Sequence, residues 1–382
     1  MSYARARLWL GISCVGTIVV VSALMLLFHV PARLLSGERV GMSAEIGPLA
    51  GVLFAYAFLS GPFDFFGGYI LPKEYGRTAV RFPAFLRGWL RGTLIHSLVL
   101  LVVALLLLKA AQAGGFPLLA GAFLAVTLVL LATQSTLALA LGGFRFRRFG
   151  AAPEAWRAGA AERKMPQIIF AESDASYFTG GIAGLPGLER VIVPERWQRE
   201  FSAEEAAAIR LRRTGILDNG SRWRGLALAI GWNFAGFCLA CLLSGGGASV
   251  AGLVTGSLWF TLWSFLGLLL LPPPSQRGVF SGDAFALRQG AAAQTLETVI
   301  QRLDRDQDDE PARERGIETY FHPIPSVERR LALLDAGGSR AVGCWHGARM
   351  AIYLSWAGVS FLSRAVHCNC GRPDVWVFLP CD

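Results

Sequence analysis

Apolar positions in this chain are gathered into seven long runs, with polar segments between them. A run of roughly 20 apolar residues can cross the hydrocarbon core of a bilayer as one α-helix, because each helical residue adds about 1.5 Å. The pattern therefore predicts seven membrane-spanning helices. They cover residues 8–30, 46–63, 89–111, 116–142, 225–243, 249–271 and 342–362.

The first and last of these runs carry unusual polar residues. The first follows Arg5 and Arg7, as the apolar part of a signal peptide would. It is too long for that role and no small-residue cleavage site follows it, so we expect a retained membrane anchor. The last run is polar for a span, since it contains His346 and Arg349.

The first large polar segment carries strand and helix patterns together. "PQIIFAES" and "LERVIVPERW" are rich in β-branched residues and bounded by turn residues, which indicates two short strands. After them, Ser202 and Glu205 in "SAEE" form the pattern of a capping box. A helix is therefore predicted to begin there and to continue to about Gly215.

The second large polar segment predicts one long helix, since apolar residues recur at helical spacing from Asp283 to Asp304. That helix ends in "DRDQDDEP", which partly matches the start of a calcium-binding loop. Asp309 stands where such a loop needs glycine, and Arg315 stands where it needs glutamate. We interpret the acidic run as a solvated helix end.

These patterns predict an α-helical integral membrane protein with seven transmembrane helices and a small α+β domain built from two polar segments. Along the chain come a four-helix membrane region, a first polar segment, paired membrane helices, a second polar segment, and a last span with a tail. The predicted boundaries are 1–143, 144–224, 225–271, 272–341 and 342–382.

Composition and charge support a membrane location and predict its orientation. The chain is 53% hydrophobic and 16% charged, whereas ordinary soluble domains are about 25% charged. Lysine and arginine are concentrated between the second and third predicted spans, and such residues mark the cytoplasmic side. We therefore expect a multi-pass protein of the cell membrane, with its N-terminus and both polar segments in the cytoplasm and its C-terminus outside. The marking residues are Lys73, Arg77, Arg81, Arg87 and Arg91.

The net charge of +9 could indicate a nucleic-acid partner, but the sequence has no basic stripe with interleaved aromatic residues. Arginines beside spans interact with anionic headgroups, so the expected partner is the lipid bilayer and not nucleic acid. In the tail, Cys368, Cys370 and Cys381 are expected on the oxidising outer side. One disulfide to Cys381 would leave one thiol over.

Five weak motifs occur in the order found in one family. "IIFAESDASYFTGG" is similar to a strand followed by an Asn-Ala-Phe-Ala-type turn, with Ser176 in place of the asparagine. "LERVIVPERWQREFSAEEAAAIRLRRTG" is similar to the strand and helix that carry an H-E-x-x-H motif, and two spans follow it. "VFSGDAFALRQGA" and "HPIPSVERRLALL" match two later elements. Over about 165–335, the chain resembles the membrane zinc metallopeptidases of the CAAX prenyl protease and HtpX heat-shock protease family, which implies a gluzincin-like cytoplasmic domain.

The chain departs from this family at the residues that perform the chemistry. Alignment through "SAEEAAAI" places the two zinc histidines of H-E-x-x-H on Arg212 and Ile216, and the catalytic glutamate on Arg213. The third zinc ligand falls on Val279, and only Asp283, a supporting residue in the family, remains. Guanidinium has no lone pair to give a metal, and isoleucine and valine have no ligand atom. We therefore predict no catalytic residue, no metal and no cofactor where the family holds zinc.

The histidines of the chain do not rebuild that site in the sequence. His322 is expected near the old site, and with Asp283 it would supply at most two ligands, fewer than a catalytic zinc needs. His29 and His367 are expected toward the outer face, and His96 near the start of a span. We expect Asp283, His322, Arg212 and Arg213 to be candidate binding residues instead.

The preferred function is a catalytically inactive peptidase-like membrane protein that acts as a binding, adaptor or complex subunit. Its partner would be a membrane-protein or peptide client, or a larger membrane complex. "LERVIVPERW" would correspond to the strand edge on which the family lays an extended peptide, and strand addition needs no metal. Arg212 and Arg213 would pair with Asp283 or with a client's carboxylate, or would only face headgroups or solvent.

Enzymatic activity is one alternative. The chain would then be an active membrane metalloendopeptidase with rebuilt zinc ligands, or a hydrolase of another type. Ser176, Thr179 and Ser281 lie in suitable regions for a nucleophile, but none has a His–Asp partner by spacing.

A transport protein is a second alternative. Asn233, His346 and Arg349 are polar residues in or near predicted spans, and such residues often mark a pathway through a membrane. No repeat relates the two halves of the chain, which is evidence against it.

Overall fold

The structure is a computed structural model. It describes residues 1–37, 42–77, 80–147, 156, 166–173, 175–337 and 342–380. The predicted disulfide partner Cys381 lies outside the described residues.

Five helices in this part of the chain are long and apolar enough to cross a membrane. Helix α1, Tyr3–Leu27, is followed by the short helix α2, Val30–Leu35. Helix α3, Met42–Phe65, continues through a π-helical turn, Phe66–Ile70, into α4, Leu71–Glu74. The chain is therefore a multi-pass membrane protein. The long helices are α1 (Tyr3–Leu27), α3 (Met42–Phe65, with its extension), α5 (Phe82–Gly142), α8 (Ser221–Ser244) and α9 (Val250–Leu270).

Helix α5 holds two of the predicted spans, because it is broken in its middle. Gly114 has φ −147° and Gly115 has φ +61° and ψ −150°, so the helical backbone is interrupted there. The arms on either side coincide with predicted spans 89–111 and 116–142. Counted this way, six of the seven predicted spans lie in long apolar helices.

The seventh predicted span is replaced by a short helix. Helix α14, Gly347–Leu354, has eight residues, and a 3₁₀ turn, Ser355–Gly358, follows it. Eight residues extend only about 12 Å, which is less than half of the hydrocarbon core. Composition alone suggested a span because this segment is apolar, but its apolar residues pack inside the protein instead of facing lipid.

Residues 342–380, which we name the C-terminal segment, fill the interior of the helical bundle. Nearly all of its residues are buried, including Tyr353, Trp356 and Trp376. The Tyr353 hydroxyl donates to the Leu130 carbonyl at 2.7 Å, which joins the segment to α5. A β-carbon on Gly92 would overlap Pro373, so glycine on α5 is needed for this close approach.

The end of the C-terminal segment contacts the two polar segments. Arg372 donates to Asp308 at 2.7 Å and to the Tyr3 hydroxyl at 2.8 Å, and the Tyr177 hydroxyl donates to Asp374 at 3.1 Å. The expectation that the tail lies across the membrane from these segments is therefore wrong.

A four-stranded sheet stands next to the bundle, with strand order β1-β2-β4-β3. Strands β2 and β4 are parallel, and the other two pairs are antiparallel. The two strands predicted from sequence, β2 and β4, are confirmed. The expectation that "LERVIVPERW" forms an edge is wrong, because β4 is paired on both sides. The strands are β1 (Arg145–Arg147), β2 (Gln167–Glu172), β3 (Gly181–Ala183) and β4 (Arg190–Pro194).

Helix α7, Ala203–Asp218, begins with the predicted capping box. The Ser202 hydroxyl accepts from the Glu205 amide at 3.2 Å, and the Glu205 carboxylate accepts from the Ser202 amide at 2.7 Å. This helix packs against α10, Pro272–Arg288, and α11, Ala293–Asp306.

The sequence predicts a single helix over 283–304, but the structure has two, α10 and α11. Gly290, with φ +91°, turns the chain between them. The remaining helices are α6 (Trp197–Glu200), α12 (Arg315–Phe321) and α13 (Val327–Asp335).

Candidate functional site

Helices α7 and α10 carry the positions that align with the zinc ligands, and they pack directly against each other. Gly282 on α10 lies against Ile216 and the Arg212 carbonyl, and Gly215 lies against Phe285. Ile216 and Val279 are 1% and 2% exposed and belong to one apolar cluster. The sequence positions that align with two zinc ligands therefore form part of the hydrophobic core.

Asp283 is held between two arginines. Arg212 Nε donates to Asp283 Oδ1 at 2.6 Å, and Arg330 Nε donates to Oδ2 at 2.8 Å. Arg330 Nη2 adds a second bond to Oδ1 at 2.9 Å. All three residues are at most 2% exposed, so this cluster is shielded from water. It joins α7, α10 and α13, three helices that come from both polar segments.

The two arginines keep Asp283 ionised in spite of its burial. Burial by itself would raise the pKa of this carboxyl group, since a charge is poorly solvated inside a protein. The charges of Arg330 and Arg212 and their hydrogen bonds outweigh that effect, so the pKa of Asp283 lies below its ordinary value. At neutral pH the cluster is a buried carboxylate between two guanidinium groups.

Arg213 ties α7 to the sheet. Its Nη1 donates to the Ile192 carbonyl of β4 at 2.8 Å, and its Nη2 donates to the Thr179 carbonyl at 2.7 Å. The guanidinium also lies 5.4 Å from the ring centre of Trp197. Arg212 and Arg213 are each 1% exposed, so the expectation that they only face headgroups or solvent is wrong.

The residues at these positions do not fit a zinc ion. A zinc site needs imidazole, thiolate or carboxylate donors around one point. Of the three aligned ligand positions, two carry hydrocarbon side chains and one carries a guanidinium group, and the carboxylate of Asp283 is already bonded to arginine through both oxygens. A cation next to Arg212 would be repelled at short range in a water-poor interior.

His322 lies apart from Asp283, in a second cluster. Its Nδ1 is 3.5 Å from Asp309 Oδ1, and its ring centre is 5.1 Å from that of His367. The expectation that His367 lies toward the outer face is wrong, because this histidine contacts the second polar segment. Sequence spacing gave no signal for this cluster, since His367 comes from the C-terminal segment.

The other polar residues singled out in the sequence have local partners. Asn233 donates to the Ala351 carbonyl at 2.9 Å, and His346 Nε2 donates to the Leu379 carbonyl at 3.2 Å. Arg349 donates to the Pro380 carbonyl. These residues therefore anchor the C-terminal segment, and this role accounts for their presence without a transport pathway.

The candidate nucleophiles have no basic partner in the described contacts. The Ser281 hydroxyl accepts from the Asn219 amide at 2.6 Å, and the Thr179 hydroxyl accepts from the Gln307 amide at 3.4 Å. Ser176 is exposed and lines a cavity of about 570 Å³ between the sheet and the bundle, which we name the polar cavity. Its wall also carries Arg91, Arg145, Glu172 and Asp374.

The sequence reasoning missed Asp64 as a buried anchor. Its Oδ1 accepts from the Gly371 amide at 2.9 Å, and its Oδ2 lies 3.7 Å from Arg364 in the C-terminal segment. Both side chains are 1% exposed. A carboxylate directly after the predicted span 46–63 was the available signal, since a buried charge in a membrane protein is expected to have a partner.

Comparison with solved structures finds this architecture in the crystal structure of Ste24p from S. mikatae. The TM-score is 0.63, and the likeness covers 80% of this chain and 78% of that chain at 12% sequence identity. The chain has the fold of Ste24p. This supports the resemblance to the CAAX prenyl protease and HtpX family at the level of the fold. No family model and no curated protein matches the sequence.

Proposed function

We propose that this chain is a peptidase-like membrane protein that binds a peptide or membrane-protein client without hydrolysing it. The observation that carries the proposal is the Arg212–Asp283–Arg330 cluster, because the sequence resemblance aligns Arg212 with a zinc ligand. Hydrolysis by a metallopeptidase requires a metal-activated water. Two buried guanidinium groups supply neither a metal ligand nor a general base.

The same cluster explains how the domain stays assembled without a metal. In a metallopeptidase the zinc ion joins two helices, and here the bonds of Asp283 join α7, α10 and α13. Because the guanidinium groups donate to a carboxylate in a shielded interior, each bond is charge-assisted and strong. The polar segments can therefore keep a binding surface in place after the chemistry has been lost.

The polar cavity is the surface that best suits an extended client. It borders β1, which is an edge strand of the sheet within the described residues, and Arg145 on that strand is exposed. An edge strand can pair with an added strand through main-chain hydrogen bonds. The cavity wall carries charges of both signs, including Arg91 and Glu172, so it offers partners for a polar peptide.

A substitution that fills the polar cavity tests the proposed binding. We expect Ser176→Trp to weaken binding of a fluorescent unfolded peptide to the purified chain about tenfold, because the indole occupies the space beside β1. The matched control is Leu188→Trp, whose site is 73% exposed and lies in the turn between β3 and β4. Fluorescence anisotropy in nanodiscs gives the dissociation constants. Equal binding by both variants would exclude the polar cavity as the client site.

Hydrolysis is measured on the same peptide. We expect no cleavage by the wild-type chain with or without added zinc. Cleavage that a zinc chelator stops would contradict the proposal and would favour a metalloendopeptidase with rebuilt ligands.

A further inference from the structure

We propose that Asp309, His322 and His367 form a binding site for a divalent transition metal such as zinc, and that the metal fastens the C-terminal segment to the second polar segment. The site shares no residue with the positions that align with the zinc ligands of the resembled family. It is independent of the proposed client binding, because it concerns a different part of the domain.

The geometry of the three side chains suits one ion. Each offers a ligand atom, and the three atoms all lie within 4.8 Å of one another. Around a tetrahedral zinc with bonds of about 2.1 Å, ligand atoms are about 3.4 Å apart. The separation of 3.5 Å between His322 Nδ1 and Asp309 Oδ1 already matches that value. Rotation of the His367 side chain would bring its ring nitrogen to the same distance from the other two ligand atoms.

The side chains are also in the chemical state that a metal requires. The His322 and Asp309 side chains are 7% and 8% exposed, and His322 Nδ1 has no hydrogen-bond partner at normal geometry among the described residues. Burial lowers the pKa of His322 and that of His367, which leaves both imidazoles neutral at neutral pH. Neutral imidazole and ionised carboxylate are the forms that bind metals.

Arg313 orients the carboxylate of Asp309. Its Nη2 lies 3.3 Å from Asp309 Oδ2 and 3.4 Å from Asp304 Oδ1, so Oδ1 of Asp309 is left to face His322. Partners behind a ligand that fix its direction are a common feature of metal sites. Burial and the neighbouring charge of Asp309 raise the pKa of Asp304 to about 7, so Asp309 is the main anionic partner of Arg313.

The other arginines near the site are bonded to carbonyl groups. Arg7 donates to the carbonyls of His367, Gly67 and Cys370, and Arg349 donates to that of Pro380. Both guanidinium groups are therefore held on the backbone of the C-terminal segment. The bond from Arg7 to the His367 carbonyl, at 3.0 Å from Nε, also holds the histidine in place next to His322.

The position of the ligands along the chain defines what the metal would do. Asp309 follows α11 and His322 follows α12, whereas His367 belongs to the segment that fills the bundle. One ion would thus join the second polar segment to the C-terminal segment. Three protein ligands leave one coordination position for water.

Zinc titration of the purified full chain, after treatment with a chelator, tests the site. We expect one zinc per chain by elemental analysis, and a rise of several degrees in Tm with zinc because the metal binds the native state. His322→Ala, His367→Ala and Asp309→Asn should each lose the stoichiometric zinc and the Tm rise. His29→Ala is the control, because His29 lies on an exposed turn and should retain both.

X-ray absorption of the zinc-loaded wild-type chain keeps the test decisive if a variant fails to fold. We expect a first shell of nitrogen and oxygen without sulfur, and slower hydrogen exchange around residues 366–370 than in the metal-free chain. A chain that retains no zinc, a shell with sulfur from Cys368 or Cys370, or exchange that zinc does not change would overturn the inference. Zinc at this site together with peptide cleavage would instead contradict only the proposed function.

Discussion

At the scale of single residues, Arg212 has a structural role at a position that the sequence resemblance aligns with a zinc ligand. A metal ligand at this place would need a free lone pair, whereas arginine offers only donors. Once Asp283 accepts those donors, the carboxylate has a buried cationic partner on α7 and another on α13. The charge of Asp283 is therefore required by its neighbours.

Removing that charge should destabilise the domain. We expect Asp283→Asn to lower the free energy of unfolding by about 3 to 5 kcal/mol, because two buried guanidinium groups lose their counter-charge. Asp335→Asn, at an exposed position at the end of α13, is the matched control and should change stability by less than about 0.5 kcal/mol. Thermal unfolding in detergent gives both values.

The effect of Asp283→Asn should also depend on pH. Since the native pKa of Asp283 is below its ordinary value, its contribution is complete above about pH 4, the unfolded value. It is lost as the pH falls through the native pKa. The difference between variant and wild type should therefore shrink in acid. A difference that stays constant down to pH 3 would mean that the carboxylate charge is not the cause.

At the scale of elements, the backbone break at Gly114 and Gly115 divides α5 into two helical arms, and each arm corresponds to one predicted span. Gly115 has φ +61° and ψ −150°, a combination that is almost restricted to glycine. A β-carbon there would meet nothing within 4 Å. Any effect of a substitution at this residue must therefore come from backbone strain and not from crowding.

Gly115→Ala should lower the free energy of unfolding by about 1 to 3 kcal/mol. Gly121→Ala is the control, because Gly121 lies within the second arm of α5 and also has open space around it. Since alanine favours helix more than glycine, the control should be neutral or stabilising. Equal Tm values for the two variants would show that the turn between the arms tolerates a side chain.

At the scale of the whole molecule, the C-terminal segment fills the interior of the helical bundle. Arg364 in this segment pairs with Asp64, donates to Thr93 at 3.2 Å and lies 4.8 Å from the Tyr56 ring centre. These contacts join residues that are 271 to 308 positions apart in the chain. The final position of the segment is therefore fixed by partners from several spans.

A double-mutant cycle measures that connection. We expect Arg364→Met alone to destabilise the chain by about 3 kcal/mol, because Asp64 is left as a buried charge without its cation. Asp64→Asn added to Arg364→Met should restore part of the loss, with a coupling of at least about 1 kcal/mol. Additive effects in thermal unfolding would show that the two charges do not interact.

Local patterns in the sequence determined the elements whose stability is local. The capping box at Ser202, strands β2 and β4, and six apolar spans all depend on residues close together in the chain, so periodicity and composition were sufficient. The lack of metal-ligand atoms in Arg212 and Val279, which the resemblance aligns with zinc ligands, also follows from these side chains themselves.

Tertiary structure alone decided the features that depend on distant partners. An apolar run has the same composition whether it faces lipid or fills a core, so 342–362 could not be distinguished from a span. Pairing decides whether a strand is an edge, and folding brings His367 to Asp309 and His322. The hydrophobic effect is nondirectional, so an apolar segment gains stability against any apolar surface. Only the folded neighbours decide which surface that is.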